Sequence, residues 1–309
     1  MQTGVRMLDA RSILLVALAV VALVFSAMWF VQLCKQRAIE RGEKLAPGPV
    51  ELVIGFITDF LDTLGISSFA TTTAMFRTAK TLDDRQLPGT LNVGHALPTV
   101  LQAYIYIELV QVDVLTLASM IAASMLGAAL GANTVVRLSE RAVRLGMGTA
   151  LLLASTLLIA RLFDLLPGGS DALELRGPLL VIAVVGNFVL GALMTLGIGL
   201  YAPCMILVSL LGMNPTAAFP IMMGSCAFLM PVASRSFLKQ DAYHPRAALG
   251  LAIGGMPAVL IAAYIVKQLD LTTMRWLVLG VVLYTGISLL LAARKPGPRA
   301  TTPQPATNS

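Results

Sequence analysis

Two stretches of this chain, 132 residues apart, hold residue types that can bind a ligand through backbone alone. The first reads Gly65-Ile66-Ser67-Ser68-Phe69-Ala70-Thr71-Thr72-Thr73, and the second Gly197-Ile198-Gly199-Leu200-Tyr201-Ala202-Pro203-Cys204. Each lies inside a long apolar segment. Glycine permits the turn that would break a helix there. Ser67, Ser68 and Thr71 are natural N-caps, and Pro203 suits the first turn of a new helix. A helix that begins at such a turn presents free N–H groups and the positive end of its dipole. Two such ends facing each other make an anion site without lysine or arginine. A packing turn with capped ends and no ligand is the alternative.

A second group of polar residues falls inside apolar sequence. Asp59 and Asp62 precede the first break, and carboxylates at membrane depth are costly and often functional. They are candidates for coupling to protons or sodium, unless the segment is short enough to leave both in water. Asn92 and His95 lie a turn apart on one face of the next segment, with Gln102 on the same side. His95 could bind an anion, relay protons, or hydrogen-bond a neighbouring helix. Cys34, Cys204 and Cys226 form no ligand spacing, nor do His95 and His244, so no metal or cofactor is expected. No Gly-x-x-x-x-Gly-Lys-Ser/Thr phosphate loop occurs.

The elements that must position these residues are helices in a bilayer. Charged residues make up 12% of the 309-residue chain, against about a quarter in soluble domains. So much apolar surface cannot be buried in one water-soluble core, so lipid must be part of the solvent. The net charge of +6 fits basic loops of a membrane protein. No basic run with interleaved aromatics points to nucleic acid. Spanning-length segments run from Ser12 to Leu33, then from Val50 to Phe76 with an interruption near Gly65. Leu87–Ile107, Val112–Val136 and Ala142–Phe163 follow. After Pro167-Gly168-Gly169-Ser170-Asp171 the order repeats: Leu179 to Leu211, interrupted near Gly197, then Ala217–Phe237, Arg246–Val266 and Met274–Ala293. The fixed shift of 132 aligns Thr63-Leu64-Gly65-Ile66 with Thr195-Leu196-Gly197-Ile198, Phe56 with Phe188, Pro88 with Pro220 and Gly148 with Gly280.

Each interrupted segment is too long for one simple crossing. If each is a hairpin returning to its starting side, 16 of the 22 lysines and arginines share one side; if each is a single crossing, the split is 12 to 10. The positive-inside bias selects the hairpin. A hairpin plus three spans inverts the second half relative to the first. The expected fold is all-α and polytopic, with two inverted repeats, each a broken re-entrant hairpin and three transmembrane helices. An extra N-terminal helix precedes them. The expected units are 1–49, a signal-anchor helix and basic linker; 50–166, the first repeat; 167–178, a polar loop; 179–293, the second repeat; and 294–309, a disordered cytoplasmic tail. Arg6 and Arg11 fall outside in this arrangement, although they would be more comfortable inside.

The two turn segments, each opening a four-element half, resemble those of the TauE/SafE sulfite exporter family of membrane permeases, over about residues 50–293. The family's pattern is Gly-x-Gly-Gly-Gly with a proline a few residues on. Here the first copy has serines for glycines and Thr71 for the proline, while the second keeps Gly197, Gly199 and Pro203 but has Leu200 and Tyr201. The resemblance implies transport of small, often sulfur-containing anions such as sulfite or sulfonates, in a bacterial cell membrane. The expected binding set is Gly65, Ser67, Ser68, Thr71, Asn92, His95, Gly197, Gly199 and Pro203, with Asp59 and Asp62 for coupling. The expected partners are lipid, a small anionic solute and a proton or sodium ion, with no nucleic acid. Two other functions stay open: a cation carrier using Asp59 and Asp62, and an intramembrane hydrolase using Ser67 or Ser68 with His95 as base.

Overall fold

The computed structural model describes residues 10–39, 45–83, 86–134, 172–194, 199–268 and 271–294, with isolated positions between 145 and 159. Gly197, most of the span Ala142–Phe163, the segment Pro167–Asp171 and the tail beyond Arg294 therefore lie outside the described residues. Among those described, the regular elements are helices: α1 (Ala10–Ile39), α2 (Pro49–Thr63), α3 (Ser68–Ala79), α4 (Leu87–Leu109), α5 (Val114–Thr134), α6 (Gly177–Met194), α7 (Tyr201–Leu210), α8 (Ala218–Gln240), α9 (Pro245–Lys267) and α10 (Leu271–Arg294). A short 3₁₀ turn, Pro215–Ala217, precedes α8. Among the described residues, four stretches are long and apolar enough to cross a membrane: Arg11–Lys35, Gly177–Met194, Ala218–Gln240 and Pro245–Ile265.

Polarity is arranged inside out. Leu23, Phe30, Val181, Leu260 and Tyr264 are exposed on the outer faces of α1, α6 and α9, whereas Asp59, Asp62, His95, Gln102 and Asn187 are buried. A chain with apolar side chains outside and acids inside is built for hydrocarbon. This is a polytopic membrane protein.

The first interruption is a reversal. α2 closes on Gly65, whose φ of +95° places it in the left-handed region. The Ile66 N–H bonds to the Leu61 carbonyl at 3.0 Å and the Gly65 N–H to the Asp62 carbonyl at 2.8 Å, the paired 6→1 and 5→2 bonds of a Schellman stop. α2 and α4 run parallel, because Asp59 meets His95 while Thr63 meets Gln102 and Tyr106 further along both helices. α3 must bring the chain back to the start of α4, and Thr72 meets His95 on the way down. The segment is thus a re-entrant hairpin.

The halves interlock as an inverted pair. α2 packs on α9 of the other half, and α6 packs on α5, its repeat-equivalent combination. Glycines let these backbones approach closely. A Cβ on Gly254 would strike the Leu52 carbonyl, and one on Gly127 or Gly191 would strike the backbone of Phe188 or Ser124. α4 and α8, equivalent to each other, cross at the centre in opposite directions: Gly89 lies against Phe237, and Ile107 against Gly224. Tyr106 and Phe219 stack there with ring centroids 5.1 Å apart. α1 lies along α8 and α4. Its Arg11 donates to the Ile107 carbonyl near the C-terminus of α4, the negative end of that helix. Arg11 therefore has a partner on the less basic face.

Each arm is pinned where it begins. On one face Glu51 of α2 pairs with Arg246 of α9 at 3.4 Å. On the opposite face Asp113 caps α5 through the Thr116 N–H at 2.9 Å and receives both Arg176 nitrogens, at 2.9 and 3.0 Å. Partial burial opposes the Asp113 charge. The Thr116 N–H and the Arg176 guanidinium outweigh it and hold the carboxyl below its usual range. The resulting stabilisation is complete above the ordinary carboxylate range and fades as pH falls through the lowered value. Asp113→Ala should cost about 1 kcal/mol, as loss of a cap does. Thermal unfolding in detergent at neutral pH checks this, and the gap to the parent protein should close in acid.

Candidate functional site

The two breaks meet. α6 ends at Met194 and α7 starts at Tyr201. Between them Gly199 sits so close to Ser67 that a Cβ would collide with the serine hydroxyl. The N-termini of α3 and α7, one from each half, thus border a common space. A narrow cavity of about 10 Å³, room for about one water, lies there, lined among others by Asp62, Ser67, Ser68, Thr99, Tyr201 and Cys226.

The first break is capped differently from the sequence expectation. Ser67 holds the N-cap position of α3, yet its side chain makes no capping bond. The cap comes from Asp62, whose Oδ1 accepts the Ser68 N–H at 2.5 Å. A carboxylate outcompetes a hydroxyl at a positive helix end because its bond is charge-assisted. Its other oxygen accepts the Tyr201 hydroxyl of α7 at 3.0 Å. The same hydroxyl lies 3.1 Å from Oε1 of Gln102, whose Nε2 donates to Thr63 Oγ1 at 3.0 Å. The Tyr106 hydroxyl donates to the Thr63 carbonyl at 2.8 Å. These bonds give partners to the Ser68 N–H and the Thr63 carbonyl, two of the backbone groups freed at the break, where lipid offers none.

A second polar line runs beside the first. Asp59 Oδ1 and His95 Nδ1 are 2.9 Å apart, and His95 Nε2 is 2.9 Å from Thr72 Oγ1. Asp59, His95 and Thr72 are all 0% exposed, and Asp59 Oδ2 has no hydrogen-bond partner among the described residues. Burial rules out the reading in which the two acids sit in interfacial water. The Asp–His–Thr order is that of a hydrolytic triad, but neither His95 nor Thr72 lines the cavity. His95 also reaches neither Ser67 nor Ser68, so the arrangement proposed for a hydrolase is not formed.

The other expected residues separate. Gly65 makes the turn, and a Cβ on it would meet Met205. Thr71 bonds back to the Ser68 carbonyl at 2.9 Å within its own helix. Asn92 donates to the Pro88 carbonyl at 2.8 Å near the surface of α4, away from the cavity. Pro203 lies in the first turn of α7 and does not line the cavity. Gly197 is outside the described residues. Sequence reasoning missed Tyr201 as a donor, together with Thr63, Thr72 and Thr99. The signal for Tyr201 was present, since the shift of 132 pairs it with Phe69, so the second copy gains a hydroxyl. Half two answers the buried acids with an amide: Asn187 donates to the Met120 carbonyl at 2.7 Å and to Ser225 at 3.0 Å.

The inverted halves and the paired breaks define the class, a multi-pass membrane transporter. The chain belongs to the sulfite exporter TauE/SafE family, which it matches over residues 3–158 and 179–308. The gap between the two matched parts holds the Pro167-Gly168-Gly169 sequence between the repeats. Comparison with curated proteins and with solved structures gave no match.

Tyr201→Phe removes one donor that holds the Asp62 carboxylate and leaves the ring in place. It should destabilise the folded protein by about 1.5–3 kcal/mol, as expected for a hydrogen bond to a charged group. Unfolding of the purified variant in detergent measures this, and unchanged stability would show that the bond is idle.

Proposed function

We propose that this protein is a secondary permease for small anions, with sulfite or organosulfonates as the class. The site is the space between the N-termini of α3 and α7. One observation carries the reading: a carboxylate oxygen already sits on the α3 N-terminal amide, 2.5 Å from the Ser68 nitrogen, with a Tyr201 hydroxyl beside it. A sulfite or sulfonate group offers the same kind of oxygen to the same donors. The cavity beside Asp62 is narrow, so the described conformation is occluded. The substrate enters when the two hairpins part toward one face or the other, around the fixed crossing of α4 and α8.

Membership in a permease family supports transport, and the absence of a phosphate loop argues against ATP as the direct drive. The face carrying Arg77, Lys80, Arg235, Lys239 and Arg246 is assigned to the cytoplasm by the positive-inside rule, in a bacterial inner membrane. By the same rule Arg294, Lys295 and Arg299 favour that face for the C-terminal end.

A thermal-shift panel of sulfite, sulfate, methanesulfonate, acetate and sodium tests the reading. A bound anion at a hundredfold excess over its Kd should add about 2.7 kcal/mol to folded stability. Sodium alone raising the melting temperature would favour a cation carrier built on Asp59 and Asp62 instead. Gly199→Leu, which drives a side chain into Ser67, should abolish anion flux in proteoliposomes while the protein still inserts. Full flux in that variant would remove the site from the breaks.

A further inference from the structure

The two buried acids of α2 are not equivalent. Asp62 has a donor on each oxygen, the Ser68 N–H and the Tyr201 hydroxyl, and is fully provided for as an anion. Asp59 has His95 on Oδ1 and, among the described residues, no hydrogen-bond donor on Oδ2. A buried carboxylate oxygen without a donor is expensive, and a proton on the pair removes the cost.

We propose that the Asp59–His95 pair is the coupling site of this permease and that the coupling ion is a proton. The inference rests on the anion-permease reading above and names the ion that drives it. Packing decides between proton and sodium. Gly255 of α9 presses on Asp59 Oδ2, so that even a Cβ there would collide with the carboxylate, and the Pro98 ring flanks the same spot. A hard cation gathers about six oxygen ligands, and a glycine backbone and a proline ring carbon leave no room for them. A proton needs none.

Thr72 makes the pair reversible. Its hydroxyl can donate to Nε2 of neutral His95 or accept from Nε2–H of the protonated ring. Both charge states therefore keep the 2.9 Å contact without rearrangement. Protonation forms one O–H or N–H bond within the pair, and deprotonation breaks it, so the step balances with water on either face as source and sink.

The remaining groups around the pair set the sign of the coupling. Asp62 lies one turn along α2, and His95 is the basic partner of both acids. Gln102 of α4 and Tyr201 of α7 are neutral donors on the adjoining line, Cys226 of α8 lines the cavity, and α9 contributes the uncharged Gly255. With the pair unprotonated, it and Asp62 each carry one negative charge. A third negative charge, the substrate, enters this low-dielectric core more readily once the pair has taken a proton. Anion and proton therefore travel together, and Thr72 puts α3 in direct contact with the titrating pair.

The experiment uses proteoliposomes and methanesulfonate, whose charge does not change from mildly acidic to mildly alkaline pH, with sulfite as second probe. The wild-type protein should accumulate the anion under an inward proton gradient, up to about tenfold per pH unit, and acidify the lumen as it does so. Asp59→Asn, which keeps the shape but holds no proton, should lose that accumulation while still equilibrating the anion by exchange. Asp59→Asn accumulating like the wild type, or a sodium gradient alone driving the wild type, would overturn the proposal. A measurement on the wild type alone guards against misfolding of the variant. In weak buffer with an indicator dye, binding of methanesulfonate should draw protons from solution, and binding without proton uptake at every pH would refute the coupling. Failure of the anion reading itself looks different: no anion then binds or moves under any gradient.

Discussion

The Asp62 carboxylate is the interaction on which the centre of this molecule depends. A helix broken at membrane depth leaves N–H groups that lipid cannot satisfy. Here the chain supplies its own anion. Asp62 stands on the last turn of α2, caps α3 after the turn, and accepts Tyr201 from α7 of the opposite half. One side chain joins both arms of the first hairpin and both repeats. A carboxyl this deep is tolerable because each oxygen has a hydrogen-bond donor.

Around that point the two halves share architecture but divide the chemistry. α2 on α9 and α6 on α5 are the same packing solution used twice, with glycines at both contacts and an ion pair at the start of each arm. The buried acids and the histidine belong to half one. Half two offers Asn187, Ser225 and the Tyr201 hydroxyl, together with sulfur: Met194 and Cys226 line the cavity, 3.5 Å apart at their sulfur atoms. Duplication supplied the frame, and substitutions within it made one hairpin acidic and the other a neutral donor. The buried acids and imidazole thus lie in half one, the acids on its hairpin and His95 on α4.

The parts of this account legible in the sequence were those set by local rules. Bilayer thickness fixes helix length, so predicted spans such as Leu87–Ile107 and Arg246–Val266 fall within two residues of α4 and α9. Gly65 announced the turn because only glycine is at ease at its φ. Charge distribution selected the hairpin, and the contacts along α2 and α4 agree. The pairing of Asp59 with His95 was not legible, since it depends on the register between two helices whose partners lie 36 residues apart. Ser67 looked like the cap by position, but the carboxylate five residues earlier wins on charge. Asn92 shares a nominal face with His95, yet its offset around α4 turns it to the surface, where Pro88 takes its amide. Tyr201 could have been found by asking what the repeat had gained over Phe69.

The central claim, one anion site shared by two helix breaks, is tested most directly by locating a bound anion. Selenite, the heavier congener of sulfite, scatters X-rays anomalously and can be placed without reference to the surrounding density. In crystals grown with selenite the peak should fall between the N-termini of α3 and α7, within hydrogen-bond distance of the Ser68 amide or the Tyr201 hydroxyl. A selenium peak confined to the basic face, or lying among α4, α8 and α9 away from both breaks, would contradict it.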